Sequence, residues 1–434
     1  MSKRKSVSKV AAMALLPLGV VGSGFSCSVL SHEALVDAAW SAKVEPLLRA
    51  RFPHASPDDL KTAHGYAYGG AIIQDLGYYP HGNKRFSDMT HYVRTGDFVM
   101  ALINEAQDLN ELAFALGALS HYASDTEVHR FATNPGEAKL YPRLQRKFGP
   151  VITYEQDPAA HLKTEFGFDV LEVAKGNFAP EAYHSFIGFG VSEPLLDRGF
   201  QKTYGLNLSD LFPDMGRSIG SYRNAVSKTI PAATRIAWAE RERDIREARP
   251  GITRSKFVYL MSRSSYERDW GKQYDRPTIR DRIAAVVLKL IPPIGSLRAL
   301  HFRMPTPEVE ALFTRSFDKS LADYDVQVDQ ARAKTIKMAN PNYDLGEVVK
   351  PGVYSLQDET YAFWLHQLAA KQYQTVTPDV REELLKYFRT VPPSRSKVDT
   401  KTQVRLAMEL QDLKELAGPD RLVARKATVS NVTH

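Results

Sequence analysis

Histidines and carboxylates recur at helical spacing inside stretches that are otherwise apolar, and a chain patterned this way has few folds open to it. The clearest case is His121-Tyr-Ala-Ser-Asp125-Thr-Glu-Val-His129, which follows the apolar run 112–119; His161-Leu-Lys-Thr-Glu165 repeats the pattern. Residues four apart share one helix face, with Cβ atoms roughly 6 Å apart. Burying an imidazole or a carboxylate without a partner is costly, and several of them converging on a cation resolves that cost. A His and a carboxylate on one face can share a zinc ion at about 2.0–2.2 Å. Two such pairs, the first with a further His, point to a site of more than one metal.

The rest of the chain reads as helix. Ser56-Pro57-Asp58-Asp59 is a helix start, with Ser56 as N-cap, Pro57 in the first turn and acids at the positive helix end. Amphipathic periodicity runs through 30–52, 98–122, 162–175 and 229–246, and no strand-and-hairpin rhythm interrupts it. Asn134-Pro135-Gly136, Arg249-Pro250-Gly251 and Pro292-Pro293 read as loops. The expected fold class is all-α. Helical patterning continues through 384–388 and 406–416, whereas 391–402 and the last fifteen or so residues read as linker and tail.

Charge argues little for nucleic acid. The net charge is +7, but Lys3, Arg4, Lys5 and Lys9 lie in a first segment of twenty-six residues without an acid, and removing them leaves +3. That segment has a basic start, an apolar run over 10–21, and Gly24 and Ser26 three and one before Cys27. It reads as an export signal, 1–26, too short to span a bilayer as a mature helix. A lone cysteine cannot form an internal disulfide, so the mature fold relies on its core and on metal. Lipidation of Cys27 is the competing fate, disfavoured by Gly24.

Nine of the twelve histidines lie between His32 and His184, which puts the chemistry in the first half. His32 stands between Leu30 and Leu35, and Asp75 follows Ala71-Ile72-Ile73. The order His32, Asp75, His91, His121-x-x-x-Asp125, His129, His161-x-x-x-Glu165 resembles the zinc-dependent phospholipase C family, whose more distant members include P1/S1-type nucleases. The resemblance covers roughly residues 27–200 and implies a multi-helix phospholipase C/P1 nuclease-like core holding two to three Zn2+ ions. It implies that Asp75, His91, His121 and Asp125 hold a first zinc and His129, His161 and Glu165 a second. Asp125 bridges onward to a third, with His32 and the amine and carbonyl of a mature N-terminal residue. That residue would be Cys27, where the family usually has Trp; acylation there would remove the chelating amine. His129 departs most from the family pattern, being only four residues beyond Asp125.

The implied organisation is a zinc-dependent phospholipase C-like domain over 27–205, a helical C-terminal extension over 206–390, and a linker, short amphipathic helix and tail over 391–434. The implied chemistry is hydrolysis of a phosphodiester, with a phospholipid the expected substrate and Asp75 both ligand and base. A nuclease or nucleotidase using the same ions, and a non-catalytic helical protein stabilised by zinc, are the alternatives. No stable nucleic-acid partner is expected, since no base-stacking platform is evident. The stretch 283–302 is either a core helix pair or a peripheral membrane contact. His54, His64, His81 and His184 read as ordinary structural histidines. Tyr78-Tyr79-Pro80 reads equally as packing or as the wall of a cleft.

Overall fold

The computed structural model describes residues 29–79, 81–175, 190–224, 238, 241–247, 249–253, 302–390 and 399–416. The segment 1–26, Cys27, His184, most of the 283–302 stretch and the final tail lie outside the described residues. The described residues are helical, without a strand; a single bridge pairs Asn342 with Glu347. No described helix is long and apolar enough to cross a membrane.

The first five helices are α1 (Val29–Ala39), α2 (Glu45–Arg51), α3 (Pro57–Ile73), α4 (Lys84–Tyr92) and α5 (Thr95–Glu105). After them come α6 (Leu109–Val128), α7 (Asn134–Leu140), α8 (Pro142–Phe148), α9 (Pro158–Lys175), α10 (Glu193–Tyr204) and α11 (Met215–Asn224). Beyond the first half lie α12 (Pro307–Arg332), α13 (Ser355–Ala370), α14 (Pro378–Thr390) and α15 (Thr400–Glu415).

Local chemistry explains the boundaries. Ser56 forms the expected capping box: its hydroxyl accepts from the Asp59 amide, and the Asp59 carboxylate accepts from the Ser56 amide. The single helix suggested by the periodicity of 98–122 is two, because Asp108 accepts from the Glu111 amide at 2.9 Å and starts α6 afresh. The stretch 30–52 is likewise divided, by a π-helical turn at Trp40–Val44. Asn134-Pro135-Gly136 is a correction: it opens α7 instead of forming a loop. Proline costs little in a first turn, where its missing N–H has no intrahelical partner to lose. Arg249-Pro250-Gly251 does turn, with Gly251 at φ +85°.

Helices α3 and α6 cross at the centre, and two glycines set their separation. A Cβ on Gly70 would stand 1.9 Å from the Phe114 carbonyl oxygen, and one on Gly117 would stand 2.0 Å from that of Ala67. Each helix therefore rests on the other's backbone. Helix α12 packs along α6, and Tyr324 on it donates to the Leu116 carbonyl at 3.0 Å. One apolar cluster runs from Val29 through Phe114 and Trp364 to Leu416, so the C-terminal helices share the core of the first half.

Candidate metal centre

Each of the ligand candidates read from the first half, Cys27 apart, is placed by a helix end or a helix face around one chamber. The Leu30 and Ser31 amides donate to Asp169 of α9 at 3.3 and 3.2 Å, which fixes the start of α1 and with it His32. Asp75 lies on a 3-10 turn, Gln74–Tyr78, that closes α3. The Asn83 side chain caps α4, whose last turn carries His91. His121 and Asp125 share a face of α6, and His129 begins a π-helical turn, His129–Thr133, at the end of that helix. Asp157 accepts from the Ala160 amide at 2.9 Å and so sets the first turn of α9, where His161 and Glu165 follow.

Eight buried side chains meet there: His32, Asp75, His91, His121, Asp125, His129, His161 and Glu165, each at most 9% exposed. Three groups have ligand atoms within 4.8 Å of one another and could hold a metal ion. They are His32, His121 and Asp125; Asp75, His91 and His121; and His129, His161 and Glu165. His121 belongs to two of them. The carboxylate of Asp125 faces two ways: Oδ2 lies 3.0 Å from His121 Nε2 and 3.5 Å from His91 Nε2, while Oδ1 lies 3.4 Å from His32 Nε2 and 3.7 Å from His129 Nε2. Glu165 Oε1 is 3.0 Å from His129 Nε2 and 3.2 Å from His161 Nε2, and Asp75 Oδ1 is 3.3 Å from His91 Nε2.

The imidazoles present the right nitrogen. His121 Nδ1 lies 2.8 Å from the Ala71 carbonyl and His91 Nδ1 2.8 Å from that of Ser87. A carbonyl only accepts, so Nδ1 carries a proton in each and Nε2 is the nitrogen turned to the chamber. His161 Nδ1 lies 3.0 Å from Glu137 Oε1, a carboxylate with no exposed surface. This pairing of a ligand histidine with a carboxylate behind it is common around zinc. The chamber, of about 20 Å3, has room for roughly one water. Buried nitrogen and carboxylate donors, with no lysine or arginine among the described lining residues, suit a cation of the zinc type.

Without metal these groups neutralise one another. Burial disfavours a charge on Asp125, but His121, His129 and His32 outweigh it and hold the carboxylate well below its ordinary range. Burial likewise opposes charging His91, and its bonds to Asp125 and Asp75 overcome this, raising it to about 10. His161 is raised well above its ordinary value by Glu165 and Glu137 against the same opposition from burial. His32 is lowered to about 4 by burial and by the neighbouring His121. Burial pushes Glu137 up to about 8.

Residues 31–212 match the family model for zinc dependent phospholipase C. The matched segment contains all eight of the converging residues. No individual curated protein and no solved structure matches the chain.

Around this chamber several groups went unnoticed in the sequence. Glu137 directly follows Asn134-Pro135-Gly136, which read as a loop. Tyr92 and Tyr154 line the chamber with Tyr78, yet neither carries a spacing signal. The Tyr78-Tyr79 pair divides the two readings given above: Tyr78 lines the chamber, whereas Tyr79 is buried against Tyr222 at 4.1 Å between ring centres. His64 lies elsewhere, pairing with Asp37 at 2.9 Å and stacking on Trp40, and His81 is exposed.

Proposed function

We propose that this chain is a zinc-dependent phosphodiester hydrolase acting as a phospholipase C, releasing a phosphorylated alcohol and diacylglycerol. The observation that carries the reading is the convergence of five histidines and three carboxylates in one buried chamber, inside the segment that matches the phospholipase C family. In this reading His32, Asp75, His91, His121, Asp125, His129, His161 and Glu165 hold two to three Zn2+ ions, and Cys27 completes the third set once the first twenty-six residues are removed on export.

Bound zinc would polarise the phosphodiester and lower the pKa of water toward neutrality. The chain does the positioning. Burial opposes ionising Asp75, yet its bond to His91 and the nearby His121 keep it below its ordinary range, so it is a carboxylate at neutral pH. As an anion Asp75 can accept a hydrogen bond from the attacking water, orient it and take up its proton. Tyr78, Tyr92, Tyr154 and Leu162 wall the chamber and limit bulk water beside the phosphate.

The test is a substrate panel with purified, zinc-loaded protein: phosphatidylcholine, phosphatidylglycerol, single-stranded DNA and a generic phosphodiester. Release of a phosphoalcohol from a phospholipid, abolished by chelation and by Asp75→Asn, is expected. Cleavage of DNA with no phospholipid turnover would overturn the lipid assignment, and inactivity on the whole panel would overturn the enzyme. The N-terminal mass of the protein purified after export separately tests cleavage before Cys27.

A further inference from the structure

We infer that Tyr343, in the helical extension beyond the family-matched segment, is a positioning residue for the group Asp75, His91 and His121, and not for the group His129, His161 and Glu165. The inference rests on the metal-centre reading above. Tyr343 has no exposed surface and reaches all three elements that carry the first group. Its amide donates to the His91 carbonyl at 3.0 Å. Its ring meets the His91 imidazole edge-on, with centroids 5.3 Å apart and planes at 62°, and lies 6.0 Å from the His121 ring. Its hydroxyl accepts from Gln74 Nε2 at 2.9 Å, one residue before Asp75.

Those contacts address the freedom the two histidines retain. His91 and His121 are each held at Nδ1 by a carbonyl, on Ser87 and Ala71, which leaves rotation of the ring plane about that bond. An aromatic ring packed against both imidazoles limits that rotation and keeps each Nε2 on the chamber side. The hydroxyl bond to Gln74 ties the 3-10 turn of Asp75 to the same support.

The segment that delivers Tyr343 is itself anchored on the first half of the chain. The Pro341 carbonyl accepts from Thr95 Oγ1 at 2.8 Å, and the Asp344 carbonyl accepts from Asn134 Nδ2 at 2.7 Å. Gly346, at φ +64°, passes so near α6 that a Cβ would stand 2.1 Å from the Thr126 carbonyl oxygen. The next residue serves a different wall: Asp344 Oδ2 accepts from the Tyr154 amide at 2.9 Å, and the Tyr154 ring stands edge-on to His161 at 5.3 Å. Consecutive residues thus support opposite sides of the chamber.

The test is zinc binding to the full chain, without substrate, for wild type, Tyr343→Leu and Tyr343→Phe at buffered free zinc. Tyr343→Leu should weaken the equivalent held by Asp75, His91 and His121 by about tenfold to a hundredfold and leave the one held by His129, His161 and Glu165 at wild-type affinity. Tyr343→Phe, which keeps the ring and loses only the Gln74 bond, should weaken the same equivalent less. If the Leu variant does not fold, the Phe variant decides by the same selectivity. Unchanged affinity at every equivalent, or equal weakening of all of them, overturns the inference. A wild type that binds no zinc overturns the metal-centre reading itself, so the two failures are distinguishable.

Discussion

Metal loading of this centre should expel at least two protons near pH 7. In the metal-free protein His91, ordinarily near 6.5, is raised to about 10, and His161 is raised well above its ordinary value, so both are imidazolium at neutral pH. Zinc takes neutral imidazole, and each of these must lose its proton before Nε2 can bind. His32, lowered to about 4, is already neutral and contributes none. Apparent affinity at each of the two groups that hold His91 and His161 should therefore rise by about tenfold or more for each pH unit between about 6 and 8. Calorimetric titration with Zn2+ in buffers of contrasting ionisation enthalpy reads the proton count directly from the slope of heat against buffer enthalpy. A slope near zero, or proton uptake, would refute the charge assignment. The metal-free fold has the opposite pH dependence. A raised His91 contributes stability that is fully present below 6.5 and is lost as pH rises through about 10, so alkali should weaken the metal-free fold while it tightens zinc.

Asp125 touches histidines of all three groups, so Asp125→Asn should lower zinc occupancy by more than one equivalent in elemental analysis; loss of one ion alone would argue against a bridging role. Glu137→Gln should weaken the zinc held by His129, His161 and Glu165 by about tenfold while sparing the equivalent sensitive to Tyr343, as zinc competition assays would show. Gly117→Ala places a methyl against the Ala67 carbonyl and should destabilise the fold by about 3 kcal/mol in denaturant unfolding. Ser56→Ala removes a capping box far from the chamber and should cost about 1 kcal/mol without changing zinc stoichiometry.

The helical class and the two close pairs at the chamber were legible because both follow short-range rules. His121 and Asp125, like His161 and Glu165, are four apart on one helix, and the helix alone brings each pair together. Ser56 was equally readable, since a capping box spans four residues. Tyr343 was not, because its partners Gln74, His91 and His121 lie more than two hundred residues away and no local pattern encodes that pairing. Glu137 failed differently: Asn134-Pro135-Gly136 is turn chemistry taken alone, and only the preceding π-helical turn makes it the first turn of a helix. The break at Asp108 was visible in principle, as an aspartate three residues before Glu111, but the apolar period runs through it.

The Gly70 and Gly117 crossing gives the chamber a fixed gauge. Asp75 follows the end of one helix and His121 rides on the other, so the distance between them is set where backbone meets backbone, with no side chain in between to shorten or lengthen. Rotamer changes can re-aim a ligand but cannot widen that gap. Re-engineering the centre for a larger cation should therefore begin at positions 70 and 117, and ligand exchanges alone should leave the preferred ionic radius where it is.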